Sequence, residues 1–398
     1  MKTASKAVIS KSVKTGRAKT AAKAVKAAPK AAVKARAVRK AQPKRTRKAM
    51  LALLIAGHNE KLVIEKTLRS AIKAGMPKEH IYVVDDNSDD GTRAIAARVI
   101  GLKNTTRVQR SGKGLALTKA AKKFELTKRY QWIHIADADG GFAPGYFQTF
   151  REKLNPKFAA ATGYVRSLPG ESVSQYRVLE YTIGMEIHRR FQALANTVSV
   201  IPGPTSCFRS DVFDQVNFAN KSLTEDFDVT IQIHRQKLGR VQFIPQAVVY
   251  TQDPRNLKDF TKQITRWNRG TMQGVRRHRI GFRPQKIDIY LSYQIVQNLM
   301  LAANYFGLLP YLAIRHHSVG VLAVTFLYDV AMMFILTSLV ALKADRKDIL
   351  SAFPQIYLYR WVTMYVFMKA LFEVIILRKY RAAPGHWESR RYKSAMTV

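Results

Sequence analysis

The sequence has a single cysteine, Cys207, so no disulfide can close within the chain. That suits a protein whose working part faces a reducing cytoplasm. Acidic residues are scarce too: 27 Asp and Glu stand against 67 Lys and Arg, giving a formal net charge of +40. Such an excess draws anionic partners, whether membrane surfaces, nucleic acid or acidic polymers. No apolar run precedes residue 49, which excludes the layout of a secretory signal peptide there. Neither a Walker loop nor a Gly-x-Gly-x-x-Gly fingerprint occurs anywhere, so the motif-bearing P-loop and dinucleotide-binding proteins are not expected.

The positive charge is unevenly spread. Residues 1–48 hold 17 Lys or Arg and no Asp or Glu, interleaved with Ala, Val and Pro. With no apolar period to build a core, this segment is expected to be a disordered cationic tail. It resembles the Lys/Ala/Pro-rich tails of linker histones, but a low-complexity tail carries electrostatics and no chemistry. Anionic lipid or polymer is therefore the expected partner and nucleic acid is not. Taking those 17 charges from +40 leaves +23 on the remainder, so the body is basic as well.

From residue 50 to 140, short apolar runs alternate with helix-like stretches, the pattern of a parallel sheet with crossover helices. Strands are expected at 50–56, 81–84 and 132–136, and helices at 60–74, 92–100 and 115–126. Polar residues cluster just past the strand ends, the edge where open α/β sheets bind ligands. The run Asp85-Asp86-Asn87-Ser88-Asp89-Asp90-Gly91-Thr92 lies there, and its second half reads as turn and helix-cap chemistry. Gly112-Lys113-Gly114 stands before a helix, where it could meet a phosphate or leave Lys113 as a solvated charge. Asp137 and Asp139, two apart at a strand end, project from one side of an extended backbone. Such a pair suits a hard divalent cation, though two acids at a strand end also make an ordinary turn.

Further along, Thr224-Glu225-Asp226 offers carboxylates for proton transfer, or alternatively a helix cap with surface charge. Gln263, Arg266 and Trp267 share a face if residues 257–275 are helical. That face suits stacking on a sugar and binding its oxygens, or else lying on a membrane.

Opened by Gly57-His58-Asn59-Glu60, these motifs in this order resemble the catalytic signature of the membrane-bound family 2 glycosyltransferases, which include the hyaluronan, poly-N-acetylglucosamine, chitin and cellulose synthases. The resemblance implies an α/β, GT-A-like catalytic domain over 49–270 and an inverting transfer from a UDP-sugar. On it, Asp85, Asp86, Lys113, Asn59, Glu60 and Asp137 bind the nucleotide-sugar, and Asp137 with Asp139 holds Mg2+ or Mn2+. Asp226, beside Glu225, is the general base. Gly203, Gln263, Arg266 and Trp267 face the acceptor. The segment Gly203-Pro204-Thr205-Ser206-Cys207-Phe208-Arg209 resembles the acceptor-side loop, from which Pro202 and Pro204 depart. Glu180-Tyr181 resembles a segment of synthases that use N-acetylglucosamine or glucuronic acid. The implied product is a growing polysaccharide built from N-acetylglucosamine or glucose. The alternative is a glycolipid made without processivity, in the manner of ceramide glucosyltransferase.

Three apolar stretches, 289–313, 319–342 and 356–377, reach spanning length. They predict two to three membrane helices over 287–379, after an interfacial basic segment at 271–286 and before a basic tail at 380–398. Asp329 is expected to pair with Lys369 or to line a polar path. Basic residues flank the group on both sides, which favours both flanks, and the catalytic domain, on the cytoplasmic face of an integral membrane protein. Gly385 to Arg390 resembles, loosely, the family's Trp-containing gating segment.

Overall fold

A computed structural model describes residues 48–168, 172–219 and 222–379. The two basic tails, and with them Gly385 to Arg390, lie outside those residues apart from Lys48. The sheet starts with β1 (Ala49–Gly57), β2 (Ile81–Asp85) and β3 (Thr105–Arg107). It continues with β4 (Tyr130–Asp137), β5 (Gly141–Phe142) and β6 (Phe158–Ser167), and is completed by β7 (Ser206–Arg209) and β8 (Arg240–Thr251). The order is β3-β2-β1-β4-β7-β6-β8-β5. β1, β2, β3 and β4 run parallel, whereas β7 enters antiparallel between β4 and β6.

β1 is a near-continuous apolar run because helices cover both faces of the sheet. Alternate residues serve the two sides: Leu51, Leu53 and Ile55 join one core with Ile64 and Leu68. Ala52, Leu54 and Ala56 join the other with Leu117 and Ile133. The covering helices include α1 (Ile64–Lys73), α2 (Thr92–Ile100), α3 (Lys113–Lys123) and α4 (Tyr146–Lys153). α1 begins four residues later than the apolar pattern predicts. Asn59 adopts φ 55°, and residues 60–63 form a turn closed by Val63 N and Ile64 N donating to Glu60 O. The parallel register sets Gly57 opposite Asp85 and Ala56 opposite Asp137, so three of the motifs emerge along one edge.

Beyond the sheet, α5 (Ser172–Ile183) continues through a π-helical segment, Gly184–Arg189, into a last helical stretch ending at Ala195. α6 (Glu225–Arg235) is followed by α7 (Leu257–Arg277). α7 runs unbroken across residue 270, where a boundary between catalytic and interfacial segments was expected. Gly270 and Gly274 let it press on α6: a Cβ at Gly270 would lie 2.4 Å from Thr224 Oγ1, and one at Gly274 2.4 Å from the Phe227 ring.

The last helices are α8 (Lys286–Ala303), α9 (Gly320–Ala344) and α10 (Gln355–Leu371). Among the described residues only α9 is long and apolar enough to cross a membrane. The first expected stretch is instead α8, a π-helical segment and a short helix ending at Arg315. The third, α10, packs Tyr359 and Val366 against Phe260, Ile264 and Tyr176. Asp329 pairs with Arg360, Oδ2 to Nη1 at 2.6 Å, rather than with the expected Lys369. Along α10, Tyr359 and Arg360 face the core and α9, whereas Tyr365 is exposed.

Gly270→Ala is expected to force α7 off Thr224 and to cost about 1 to 3 kcal/mol, read as a lowered thermal midpoint of the purified protein.

Candidate functional site

The site is assembled where the ends of β1, β2 and β4 meet the loop before β7 and the start of α6. At the end of β2, Asp85 and Asp86 are fully buried. Asp85 Oδ1 accepts from Ser88 N at 3.1 Å and its Oδ2 lies 3.6 Å from Arg107 Nε. Asp86 accepts from Ser111 N at 2.8 Å and Gly112 N at 2.9 Å, one amide on each oxygen. These bonds fix the loop that leads into α3, so Asp86 sets where Lys113 begins. Gly112, at φ 82°, makes the sharp entry that lets the helix start at Lys113 rather than at 115.

Asn59 and Glu60 belong to the same frame. Asn59 N donates to Ser88 Oγ at 3.0 Å, its Oδ1 accepts from Asp89 N at 3.1 Å, and Glu60 N donates to Thr92 Oγ1 at 2.8 Å. Asp90 accepts from Thr92 N at 2.9 Å in the turn that leads through Gly91 into α2, which fits turn chemistry for that half of the acidic run. A cavity of about 430 Å3 opens here. It takes in Asp85, Ser88, Arg93 and Arg107 but neither Lys113 nor Asp137.

Lys113 is the centre of the charge arrangement. Its ammonium lies 2.6 Å from Asp137 Oδ1 and 2.9 Å from Glu225 Oε1, and its side chain is 16% exposed. Burial alone would lower the Lys113 pKa, but the two carboxylates outweigh it and hold the ammonium charged well above the usual lysine range. Burial likewise works to raise Glu225, and Lys113 more than reverses it, leaving Glu225 below the ordinary value. Asp226 has no such contact. Removal from water and the adjacent Glu225 charge push it up to about 6. Two neighbouring carboxylates are thereby driven apart in acidity, a pattern that separates charge holding from proton acceptance.

Asp139 sits in the turn after β4, and Thr67 of α1 steadies that turn by donating to Ala138 O at 2.7 Å. The loop expected on the acceptor side forms a tight turn at Gly203–Thr205, closed by Ser206 Oγ donating to Pro202 O at 2.8 Å. Pro202 and Pro204 fit this turn without breaking it. Glycine at position 203 leaves room for the pair: a Cβ there would lie 2.9 Å from Lys113 Nζ and 3.0 Å from Asp137 Oδ1, so these side-chain ends would have to shift. Thr224 stands at the N-cap of α6, where its carbonyl accepts from Asp228 N at 3.2 Å while its hydroxyl makes no capping bond.

The structure brings Gln263 and Trp267 together on one partner that the motifs did not single out. Arg177, 1% exposed, donates to Gln263 Oε1 and to Glu180 Oε2. Its guanidinium stands 4.8 Å from the centroid of the Trp267 indole. Arg266 points elsewhere, donating to Leu223 O at 2.9 Å beside the Thr224–Asp226 turn. The Glu180 three residues after Arg177 was the one local signal for this hub; Gln263 and Trp267 are far off in sequence. Asp228, fully buried two residues past Asp226, is a second such point. It accepts from Arg277 at 2.8 Å and contacts His278 Nε2 at 2.9 Å, fastening α6 to the end of α7.

Residues 48–270 match the family model described as "Glycosyltransferase like family 2". The chain belongs to the family 2 glycosyltransferases. The poly-beta-1,6-N-acetyl-D-glucosamine synthase of Staphylococcus aureus (strain COL) is 28% identical over 228 residues, which are 55% of this chain and 54% of that protein. The Staphylococcus epidermidis protein of the same name is 26% identical over 229 residues. The chain thus spans about half the length of these curated relatives. A mannosyltransferase from Pyrobaculum calidifontis, solved in complex with GDP-Man and Mn2+, superposes with a TM-score of 0.51 over 81% of this chain and 90% of that one. At 18% identity the match shows the GT-A-like α/β fold.

Lys113→Ala should leave Glu225 and Asp137 without their shared cation and destabilise the fold by about 2 kcal/mol. Because Lys113 lowers the Glu225 pKa, the deficit should be full above 4.5, the ordinary value, and shrink as pH falls through the lowered one. Chemical denaturation of both proteins across pH 3 to 8, as buffer conditions, reads it.

Proposed function

We propose that this chain is an inverting hexosyltransferase. It moves N-acetylglucosamine or glucose from a UDP-sugar to a growing polysaccharide at the cytoplasmic face of a membrane. The observation that carries the reading is the divided acidity of Glu225 and Asp226 beside the Lys113–Asp137 pair. In-line displacement needs a carboxylate that takes the acceptor hydroxyl's proton as its oxygen attacks opposite the leaving diphosphate. Asp226, with a pKa of about 6, is deprotonated near neutrality and basic enough to accept that proton. Lys113 is placed to exchange its carboxylate contacts for diphosphate oxygens, and the Gly203 backbone lies close enough to border the sugar.

Asp137 and Asp139 would hold a divalent ion, Mg2+ or Mn2+. The hard oxygen donors suit it, and the Lys113 ammonium already occupies a cation position against Asp137. Among the described residues no cluster of three or more candidate ligands occurs, so the remaining coordination would come from donor phosphates and water. When bound, such an ion neutralises the leaving diphosphate.

Asn59, Glu60, Asp85 and Asp86 frame the nucleotide side, chiefly by fixing the two loops around it. Gln263, Arg266 and Trp267 form the acceptor side, with Arg177 behind the indole. α9 is the membrane-spanning element in this reading, α8 and α10 flank it, and anionic lipid meets the basic segments. The poly-N-acetylglucosamine synthases among the relatives support a polymer product.

Asp226→Asn should leave UDP-sugar binding within about twofold while transfer falls at least ~100-fold. Equilibrium binding and radiolabel transfer on the same preparation check it. Weakened donor binding at an unchanged maximal rate would place Asp226 on the nucleotide instead.

A further inference from the structure

The Gln263–Trp267 face of α7 is built on a single buried cation, and that cation fixes what the face can recognise. Arg177 of α5 is 1% exposed. Its Nη1 donates to Glu180 Oε2 and its Nη2 to Gln263 Oε1. The Trp267, Phe260 and Tyr181 ring centroids stand 4.8, 5.1 and 5.4 Å from its guanidinium carbon. Burial alone would lower the Arg177 pKa, but Glu180 and Tyr181 reverse this and hold it charged above the usual arginine range. Behind the hub the packing is dense. Tyr176, next to Arg177, stacks on Tyr359 of α10 with ring centroids 4.9 Å apart, and Phe260 meets both rings edge-on.

A guanidinium can only donate hydrogen bonds. The Gln263 amide must therefore turn its oxygen to Arg177, which leaves Nε2 as the group it offers elsewhere. Glu180 commits Oε2 to the same cation and keeps Oε1, an obligate acceptor when ionised, on a side chain that is 36% exposed. Neither Gln263 Nε2 nor Glu180 Oε1 has a hydrogen-bond partner among the described residues. Trp267 is likewise only partly buried. Because all three side chains touch one guanidinium, an N–H donor, a carboxylate acceptor and an aromatic surface lie within the span of one substituted sugar ring. Hydroxyls would satisfy any mixture of donors and acceptors, since each is both. One donor and one obligate acceptor beside an apolar surface are more selective. They match a secondary amide, whose carbonyl accepts from Gln263, whose N–H donates to Glu180 and whose methyl lies on the indole.

We propose that Glu180, Gln263 and Trp267 form a subsite that reads the acetamido group of an N-acetylhexosamine in the acceptor, with Arg177 as the positioning residue that sets its polarity. This rests on the reading of Gln263 and Trp267 as acceptor-side. It adds the class of sugar that the acceptor carries there, and it gives Glu180 and Arg177 separate roles, one touching the sugar and one acting through its neighbours.

The test uses the full chain in phosphatidylcholine nanodiscs at saturating UDP-N-acetylglucosamine or UDP-glucose, with β-linked tetramers of N-acetylglucosamine and of glucose as acceptors. The wild type is expected to prefer the N-acetylglucosamine tetramer at least ~10-fold in kcat/KM, because a site built to bond an amide is left unpaired by a sugar that lacks one. Gln263→Glu keeps the shape and gives Arg177 a second carboxylate, but it faces the acetamide carbonyl with oxygen. Its preference should fall to within ~3-fold while its thermal midpoint holds or rises, a split that a merely structural glutamine would not produce. Arg177→Lys keeps the charge without the planar fork that holds both partners. The same loss of preference is expected there, with the donor KM within ~2-fold of wild type. A wild type without preference, transfer to neither tetramer, or a preference retained in Gln263→Glu overturns the proposal. A preference retained in Arg177→Lys overturns the role given to Arg177. If either variant loses its thermal midpoint along with the preference, that residue supports the fold rather than the subsite, and the proposal fails. Trp267→Ala, expected to raise the KM for both tetramers, separates the two readings. Unchanged KM values in it refute the acceptor-side reading and the subsite with it. Raised values beside an undiminished preference in Gln263→Glu refute the subsite alone.

Discussion

The sharing of one ammonium by two carboxylates is the constraint on which the rest of the site depends. Lys113 touches Asp137 from the sheet and Glu225 from α6, so a single cation joins the two halves of the catalytic domain. The consequences run outward from it. Asp86 holds Ser111 and Gly112 where α3 starts at Lys113, and glycine at position 203 leaves the pair its room, since a Cβ there would press on both side-chain ends. With Glu225 kept charged, the neighbouring Asp226 is the carboxylate that resists ionisation. Asp86 fixes that loop by accepting one backbone amide on each of its oxygens.

A second set of contacts ties α6 to the helices that follow it. Gly270 and Gly274 bring α7 against Thr224 and Phe227, Asp228 is clasped by Arg277 and His278, and Arg235 grips Asp288 of α8. Buried, hydrogen-bonded ion pairs contribute less net stability than their Coulomb energy suggests, but they specify one arrangement, because breaking either partner is costly. Here that arrangement sets where Asp226 stands relative to the helices that carry the exposed apolar surface. In the proposed reaction, the base and the membrane are thus positioned by the same short segment.

Much of the fold was legible in the sequence. Each of the three strands expected before residue 140 appears within two residues of its predicted start, because buried parallel strands need unbroken apolar runs and those runs are short and well bounded. The helix starts were less legible. The positive φ of Asn59 and of Gly112 moved two of them, and a backbone conformation of that kind has no signature beyond the residue type. The membrane region was less legible for a related reason. Hydropathy over 356–377 does not distinguish a helix facing lipid from one packed on α7 through Tyr359 and Val366. The pairing of Asp329 with Arg360, nearer in sequence than Lys369, follows from how α9 meets α10. Within the site, the motifs gave the residues but not their partners. Arg177 escaped notice because what distinguishes it, a place shared by Gln263 and Trp267, exists only once the chain has folded.

The claim that Glu225 tunes Asp226 is open to direct measurement. The pH dependence of maximal transfer rate should be recorded for the wild type and for Glu225→Gln at saturating donor. Because a raised pKa makes the base available only above it, the wild-type rate should climb through an inflection near 6 and level off above. Removing the Glu225 charge should move that inflection to lower pH, since its repulsion is one of the two causes holding Asp226 up. An inflection that stays in place in Glu225→Gln, or a wild-type profile without one below neutrality, would contradict the account.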